Sequence, residues 1–343
     1  DEESDALSIP DSSIADRYDK DMEEQYKNAE KMLDAWIGCV GMQPLSAESI
    51  KENEAFLSSV DYLGLFDYIK RSGLEEYDYK VRDLSTIAEV NMLYAGLEKT
   101  PDRVKHVLEV GGYGRIAEAI MNTAEDIKYV MVDAVPGSIL YSYEYLKKML
   151  SNKKIGFYYL EDEFDLEKYD VYIIPAWHFE EYNRCKYDCG INISSMQEMG
   201  QTHVDYYLEL FDRVLKTGGI AYIQNSHDYL FKGEWKYNKS WERVFMCNTP
   251  VSWTAYFPTE IFVKREADYS RWNQCVLAGY EYALKEKQIL NHKINEMQNE
   301  IWRLQYAESE LDKARKEIEE LKTKQKEIKP AKRRGLWWRY EHR

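Results

Sequence analysis

The fold of this chain is decided by the stretch Val107-Leu108-Glu109-Val110-Gly111-Gly112-Tyr113-Gly114-Arg115-Ile116-Ala117-Glu118-Ala119-Ile120. It contains a short apolar strand, a glycine cluster and the start of a helical pattern in direct succession. Glycines permit backbone angles that other residues avoid, and they let a ligand approach the main chain closely. The helix that follows directs unpaired N–H groups and its positive dipole end at the same point. Such a turn suits a nucleotide-like cofactor that carries an anionic group.

Two acidic residues beside this turn narrow the choice of cofactor. Asp133 ends a second apolar strand, where a carboxylate can accept both hydroxyls of a ribose. Glu109 directly precedes the glycines, where its charge would repel a pyrophosphate but suit an ammonium group. S-adenosylmethionine has a ribose and an ammonium group, whereas NAD has no ammonium group for Glu109. We therefore predict S-adenosylmethionine as the cofactor, with these contacts from the turn and the second strand: Glu109, Gly111, Gly112, Gly114 and Asp133.

Composition limits the classes of protein to which the chain can belong. The chain has 343 residues, 44% of them hydrophobic, which suffices for a sizeable core. Its formal net charge of −15 argues against a nucleic-acid partner, because phosphates would be repelled. No apolar run approaches the ~20 residues that span a bilayer. The five cysteines are scattered, which predicts free thiols, no metal site and a cytoplasmic protein.

The pattern along the chain predicts five segments. An acidic, disordered leader covers 1–16 and a helical region that caps the crevice covers 17–103. The cofactor-binding domain covers 104–275, a coiled coil 276–329 and a basic, aromatic tail 330–343. Within the domain, apolar strands alternate with helices, which predicts a Rossmann-like parallel sheet covered on both faces. The predicted strands are 106–110, 129–133, 171–175, 189–194 and 220–225, followed by an antiparallel pair at 251–256 and 260–265.

The carboxyl ends of parallel strands form one edge, where ligands of such sheets bind. The third strand leads into Ala176, Trp177 and His178, and we expect Ala176 and Trp177 to contact the cofactor. Trp177 would flank an adenine ring, although a buried packing role explains it equally well. In the helical cap, Glu89, Asn91 and Tyr94 are candidates for a lid over the crevice or for simple helix packing.

The next two strands supply the candidate bases. Ser194, Ser195 and Glu198 follow the fourth strand, and we predict the two serines as cofactor contacts and Glu198 as the first candidate for a general base. The alternative is a capping box, in which Ser195 caps a helix with Glu198 at its third position. His227 follows the fifth strand and is the second candidate base, with a structural role as its alternative.

Further polar and aromatic residues near these strand ends are predicted to contact the acceptor: Tyr113, His178, Asn225 and Trp235. Trp235 opens an aromatic stretch, 235–253, which we interpret as an insertion before the last strand pair. Its rings would stack on the apolar face of a sugar, with packing in the core as the alternative.

A heptad pattern dominates the end of the chain. One seam stays apolar over five heptads, at Leu290, Met297, Leu304, Leu311 and Ile318. Its partner positions begin with Ile294 and Ile301 and become charged at Glu308, Arg315 and Lys322. Sustained heptads predict a coiled coil and hence a homo-oligomer. The basic tail, with Trp337 and Trp338, predicts peripheral association with an inner membrane or with a partner protein.

Four segments together resemble the sugar O-methyltransferases of bacterial surface-polysaccharide clusters. They are Leu108-Glu109-Val110-Gly111-Gly112-Tyr113-Gly114-Arg115, Val171-Tyr172-Ile173-Ile174-Pro175-Ala176, Ile191-Asn192-Ile193-Ser194-Ser195-Met196-Gln197-Glu198-Met199 and Gly218-Gly219-Ile220-Ala221-Tyr222-Ile223-Gln224-Asn225. The resemblance covers roughly residues 80–275 and implies a class I methyltransferase with a sugar hydroxyl as acceptor. The glycine loop is one residue shorter than in related enzymes, which leaves the roles of individual glycines open. More loosely, the coiled coil resembles those of chain-length-controlling methyltransferases.

The sequence thus predicts an S-adenosylmethionine-dependent O-methyltransferase that acts on a sugar of a bacterial surface polysaccharide or its precursor. Two alternatives stay open. The first is an NAD-dependent oxidoreductase, because Gly112-Tyr113-Gly114 with Ala117 also fits the dinucleotide pattern. The second is a non-catalytic scaffold of a polysaccharide-assembly complex, held together by the coiled coil.

Overall fold

The computed structural model describes residues 18–20, 22, 26, 89–90, 93, 104–160, 165–182, 185–226, 233–248 and 258–341. The chain divides into two compact units, Asp1–Leu277 and Ala278–Arg343. The first unit contains the sheet and its covering helices. The second consists of the greater part of one long helix.

Strands and helices alternate through the first unit, as the sequence predicts. The described elements are β1 (His106–Val110), α1 (Arg115–Thr123), β2 (Lys128–Asp133), α2 (Pro136–Met149), β3 (Ile155–Phe157), β4 (Val171–Pro175), β5 (Tyr187–Ile193), α3 (Gln201–Val214), β6 (Leu215–Gln224), β7 (Trp241–Asn248), β8 (Pro258–Lys264) and α4 (Ser270–Glu341). Three short 3₁₀ segments follow strand ends, at Tyr158–Leu160, Ala176–Tyr182 and Met196–Glu198.

These strands form one sheet in the order β3-β4-β2-β1-β5-β6-β8-β7. Strands β3, β4, β2, β1, β5 and β6 run parallel to their neighbours, and β8 is antiparallel to both β6 and β7. The chain moves outward from β1 in both directions, with β2 on one side and β5 on the other. A crevice forms at such a reversal of strand order, outside the carboxyl ends of the strands. The fold is therefore mixed α/β and Rossmann-like, and its crevice lies beside the glycine turn.

Both faces of the sheet are buried, which explains the nearly continuous apolar runs of its strands. On one face, Val107 and Tyr129 pack with Ile120 of α1 and Leu140 of α2. On the other face, alternate strand residues pack against α3, including Leu108, Val130, Val204 and Phe211. Successive strand side chains point to opposite faces, so a single strand contributes to both cores.

The end of the sheet corrects part of the sequence prediction. Residues 241–248 form strand β7, although the aromatic stretch 235–253 was predicted to be an insertion. Trp241 is fully buried and packs against Phe262 of β8, which shows how an aromatic-rich segment suits a sheet. The predicted strand 251–256 lies outside the described residues. The three-residue strand β3 was missed because so short a segment has no readable periodicity.

The described residues of the N-terminal region are helical, and four of them belong to the core on the α1 and α2 face. These four are Tyr18, Met22, Val90 and Leu93. Asn91 and Tyr94, the other two lid candidates, lie outside the described part of the chain.

Helix α4 continues through Pro330 to Glu341. In the part of the chain that the structure describes, no helix combines the length and apolarity needed to span a bilayer. The coiled coil and the association of the basic tail stay predictions at this point.

Candidate functional site

The glycines after β1 have separate structural roles. Gly111 and Gly114 adopt left-handed angles, with φ of 72° and 83°, and Gly114 is the N-cap of α1. A Cβ on Gly111 would lie 2.1 Å from Oγ of Ser195, and one on Gly112 would lie 2.3 Å from Cδ of Glu109. Two predicted cofactor-binding side chains therefore pack directly on the bare backbone of the turn. Gly111 and Gly112 are thus needed because a side chain at either position would collide with Ser195 or Glu109.

Glu109 is a buried carboxyl group at the base of the turn. Glu109 is only 3% exposed, and the hydroxyl of Tyr129 donates a hydrogen bond to its Oε2 at 2.9 Å. Burial raises the pKa of Glu109 to about 7, against the lowering effects of the Tyr129 hydrogen bond and of Arg115. The negative charges of Asp133 and Glu89 raise this pKa further. At neutral pH the group is poised between its acid and its carboxylate.

A buried ion pair connects the N-terminal helical region to this turn. Nη1 of Arg115 donates to Oε2 of Glu89, and both side chains are largely withdrawn from water. Burial raises the pKa of Glu89, although Arg115 opposes the shift. Oε1 of Glu89 is buried and has no hydrogen-bond partner among the described residues. Glu89, one of the lid candidates, thus contributes charge to the site from a distant part of the sequence.

Asp133 ends β2 at the mouth of the crevice. The backbone N–H of Val135 donates to its Oδ1 at 2.8 Å. Burial raises the pKa of Asp133 to about 7, and the charge of Glu198 contributes to this shift. Tyr113, 49% exposed, lies within reach of the charges of both Asp133 and Glu198. The structure therefore brings together three residues predicted for cofactor, acceptor and proton transfer.

The segment after β5 is tightly bent. Ser194 has a left-handed φ of 57°, which is rare for a residue with a side chain, and its buried Oγ has no hydrogen-bond partner within the described chain. Backbone strain of this kind clusters at functional sites. Glu198 is exposed, and partial burial raises its pKa. Ser195 is the N-cap of the short Met196–Glu198 segment, with Glu198 at its third position, but the Ser195 side chain makes no cap hydrogen bond. The positions of the capping-box alternative are therefore present without its side-chain bond.

A buried amide network fixes this bend to the neighbouring strands. Nδ2 of Asn192 donates to the carbonyl of Val110 at 2.8 Å and to Oγ of Ser195 at 2.7 Å. Nδ2 of Asn225 donates to Oδ1 of Asn192 at 2.9 Å, while Oδ1 of Asn225 accepts the N–H of Gln197 at 3.2 Å. The amide of Asn225, predicted to contact the acceptor, is therefore engaged within the protein and 1% exposed.

The residues after β4 form a second cluster around Asp19. Oδ1 of Asp19 accepts from Nε1 of Trp177 at 3.1 Å and from the hydroxyl of Tyr159 at 2.6 Å, and Nε2 of His178 lies 3.0 Å away. His178 also stacks on Tyr158, with ring centroids 4.2 Å apart. Trp177 is 2% exposed, and Ala176 is fully buried. Because Pro175 of β4 pairs with Asp133, this cluster adjoins the acidic mouth of the crevice.

Of the two remaining candidates, the structure describes only Trp235, which stands apart from this group. The ring of Trp235 stacks on Tyr237 at 6.3 Å, beside Trp241 and Phe262, so its contacts are those of aromatic packing. His227 lies outside the described residues.

Sequence inspection missed several residues that shape the site. Arg115, Tyr129, Asn192 and Gln197 were not proposed for it. One signal was available for Asn192, since a polar residue inside a buried strand requires internal partners. No local pattern shows the pairing of Arg115 with Glu89, because the two residues meet only through the tertiary fold.

The resulting site is strongly acidic. Four carboxyl groups (Glu89, Glu109, Asp133 and Glu198) have raised pKa values, and Arg115 is the cation paired within this group. A cation that enters such a site stabilises the ionised carboxylates, whereas an added phosphate increases their repulsion. The arrangement thus favours a positively charged ligand.

No protein-family model matches the chain, and no curated protein sequence matches it either. Among solved structures, the chain is similar to TehB from Haemophilus influenzae, with 14% identity and a TM-score of 0.35 over 51% of this chain and 62% of that one. It is also similar to StiE O-MT residues 961–1257, with 11% identity and a TM-score of 0.38 over 53% and 75% of the two chains. A third is the Methanococcus jannaschii fibrillarin pre-rRNA processing protein, with 11% identity and a TM-score of 0.35 over 51% and 75%. The match spans less than two thirds of TehB. At these scores, function has to be inferred from the site itself.

Proposed function

We propose that this chain is an S-adenosylmethionine-dependent methyltransferase. The proposal depends on one observation, the buried carboxyl of Glu109 with its pKa raised to about 7, which packs on Gly112 of the glycine turn. Burial removes the water that would stabilise the ionised carboxylate of Glu109. The positive charge of a neighbouring ammonium group stabilises that carboxylate instead. The pyrophosphate of NAD would add negative charge at the same place, so a dinucleotide fits the site poorly.

The residues of the crevice fit the different parts of this cofactor. Glu109 would hold the ammonium group, and Asp133 would accept hydrogen bonds from the ribose hydroxyls. Ser195 packs on Gly111 of the turn, and the hydroxyl of Ser194, which has no partner among the described residues, offers a further polar contact. The overall positive charge of the cofactor suits a site in which carboxylates outnumber the paired guanidinium.

The protein's part in the reaction is to align the acceptor and to remove its proton. When bound, the cofactor supplies an electrophilic methyl group on its sulfonium. Glu198 is exposed at the crevice mouth, and its raised pKa makes it a stronger base than an ordinary carboxylate. We propose that Glu198 accepts the proton of the acceptor hydroxyl, with His227 as the second candidate.

We further propose a sugar hydroxyl of a bacterial surface polysaccharide, or of its precursor, as the acceptor. The resemblance of the four sequence segments supports this class. Tyr113 supports it as well, because an exposed aromatic ring at the mouth suits the apolar face of a sugar. His178 lies close to the same opening through the Asp19 cluster.

The first experiment measures cofactor binding to the full chain. Calorimetry with S-adenosylhomocysteine should show binding at micromolar concentrations, and NAD should show none. Asp133→Asn should weaken binding, whereas Glu209→Gln, an exposed change on α3, should leave it unaltered. Binding of NAD with no binding of S-adenosylhomocysteine contradicts the proposal and favours the oxidoreductase.

The second experiment measures transfer of an isotope-labelled methyl group to defined sugars and glycans. Transfer to a sugar oxygen supports the acceptor class, and mass spectrometry identifies the modified position. Transfer only to other acceptor classes contradicts the sugar proposal but not the methyltransferase. Cofactor binding without transfer to any acceptor class favours the scaffold alternative.

A further inference from the structure

Helix α4 carries an apolar seam that is exposed in the single chain. All of its large side chains are 50–66% exposed. Trp302 and Tyr306 are exposed as well, but they lie outside the seam and do not share its spacing. The seam consists of Leu290, Ile294, Met297, Ile301, Leu304, Ala307, Leu311, Ala314, Ile318 and Leu321. It extends over about 48 Å at 1.5 Å per residue. A stripe of this length requires a partner helix.

The spacing of the seam changes once. From Leu290 to Leu304 the steps alternate between four and three residues, and from Ala307 onward they alternate again. Between Ile301, Leu304 and Ala307 two three-residue steps follow each other. Such a discontinuity shifts the heptad frame while the stripe remains on one side of the helix. Ala307 and Ala314 therefore become core positions.

This shift changes the interpretation of three charged residues. In an unbroken frame, Glu308, Arg315 and Lys322 occupy the core and weaken the distal half of a coiled coil. In the shifted frame they lie beside the core, at the e positions, and Arg303, Glu310 and Glu317 occupy the g positions on the other side. These flanking positions decide which helix pairs with which, and in what direction.

The flanking charges are complementary between two identical chains. In a parallel, in-register pair, each g residue faces the e residue five positions later on the second chain. The three facing pairs are Arg303 with Glu308, Glu310 with Arg315, and Glu317 with Lys322, and each joins opposite charges. In the single helix, three of these groups pair with neighbours one turn away: Glu310 with Lys313 at 2.6 Å, Arg315 with Asp312 at 3.3 Å and Lys322 with Glu319 at 3.6 Å. Exposed pairs of that kind are weak, so the side chains are available to a second helix.

We propose that α4 forms a parallel, in-register, two-stranded coiled coil with a second copy of this chain, with its frame shifted between Ile301 and Ala307. Branched Ile294 and Ile301 alternate with Leu290, Met297 and Leu304 in the proximal part, a pattern that favours two strands. Small alanines in the distal core let the two helices approach closely. The charged g and e residues fix the parallel direction.

Sedimentation equilibrium of the full chain tests the assembly. The expected mass is twice the 40.7 kDa of one chain. A monomer at tens of micromolar overturns the proposal, as does a stable trimer.

Charge reversal tests the facing pairs. In one variant Glu310→Lys and Glu317→Lys create like charges across the interface, and in the other Arg315→Glu and Lys322→Glu do the same. Each variant alone should dimerise on the order of tenfold to a hundredfold more weakly than the wild type. An equal mixture should recover dimers, because each heterodimer pairs opposite charges again. If the mixture dimerises as weakly as each variant alone, the proposed pairing is contradicted.

Adjacent substitutions test the frame shift. Ala307→Leu fills a core position and should raise the thermal midpoint of the dimer, whereas Glu308→Leu removes a pair with Arg303 and should not. An unbroken frame predicts the reverse order. Cysteine cross-linking tests the relative direction of the two helices. Leu304→Cys and Ile318→Cys should each form a disulfide with the same residue of the second chain, and the unmodified chain is the control. An antiparallel pair permits self-linkage at one of these positions at most.

Discussion

The replacement Glu109→Gln should stabilise the free protein at alkaline pH and weaken its binding of the cofactor. The carboxyl has an ordinary pKa of 4.5 that burial raises to about 7 in the folded chain. A carboxyl group with a raised pKa contributes its stability below the unfolded value, and that contribution is lost as pH rises through the folded value. For this buried group the loss between pH 4 and pH 8 is about 3 kcal/mol. Glutamine keeps the shape and an acceptor for Tyr129 but has no charge to ionise.

Urea unfolding at pH 5 and pH 8 measures this difference. At pH 8 the Glu109→Gln variant should be more stable than the wild type by up to about 3 kcal/mol, and at pH 5 the two should nearly coincide. Asp133 is present in both proteins, but its charge repels that of Glu109, so the measured difference includes this repulsion. Glu209→Gln, the exposed control on α3, should show no pH-dependent difference from the wild type.

Calorimetry with S-adenosylhomocysteine completes the test. Loss of a charged partner should weaken binding about tenfold to a hundredfold at pH 7.5. In the wild type, affinity should increase roughly eightfold from pH 6 to pH 7.5, because the ionised fraction of Glu109 increases by that factor. If binding also requires ionised Asp133, the increase in affinity is larger, because the pKa of Asp133 is raised to about 7 as well. A variant that binds as tightly as the wild type, or is less stable at pH 8, refutes the role of Glu109.

Three further changes test the rest of the site. Gly112→Ala places a Cβ 2.3 Å from Cδ of Glu109 and should lower the unfolding free energy by about 1–3 kcal/mol. The control Gly137→Ala, whose Cβ would have nothing within 4 Å, should raise the thermal midpoint slightly, and thermal melts compare the two variants. Asn192→Ala removes the centre of the amide network and should cost at least about 2 kcal/mol in urea unfolding, so a neutral result would falsify its clamping role. Glu198→Gln should lower the methyl-transfer rate on the order of a hundredfold or more while the Kd of S-adenosylhomocysteine changes less than about threefold, and an unaltered rate transfers the role of base to His227.

The strands at the centre of the sheet were predictable because their signal is local. A parallel strand buried on both faces is apolar throughout, so β1 and β4 begin and end where the sequence predicted. The edges were less predictable. The sequence predicts an insertion where strand β7 lies, because aromatic residues such as Trp241 suit an edge strand and a loop equally well until their neighbours are known.

The site divides in a similar way. The positions of Glu109, Asp133 and Glu198 near the carboxyl ends of buried strands follow from the sequence, because such strand ends meet at one edge of a parallel sheet. Their roles with cofactor and acceptor stay predictions. Their raised pKa values do not follow from the sequence, because the cause is burial by segments distant in the sequence. Likewise, the position of Trp177 in the sequence leaves open whether its ring flanks an adenine or packs in the core. Its hydrogen bond to Asp19 depends on a contact across 158 positions of the chain.

Local chemistry along the chain accounts for the alternation of strands and helices, the glycine turn and the long amphipathic helix. The glycine positions follow from backbone angles that other residues avoid, and the seam follows from the period of the helix. Which groups share a low-dielectric environment depends on how distant segments pack together. Contacts between distant segments show this. They include the pairing of Arg115 with Glu89 and the packing of Ser195 on Gly111. The same packing leaves Oε1 of Glu89 buried without a hydrogen-bond partner among the described residues, and no local pattern in the sequence records these distances.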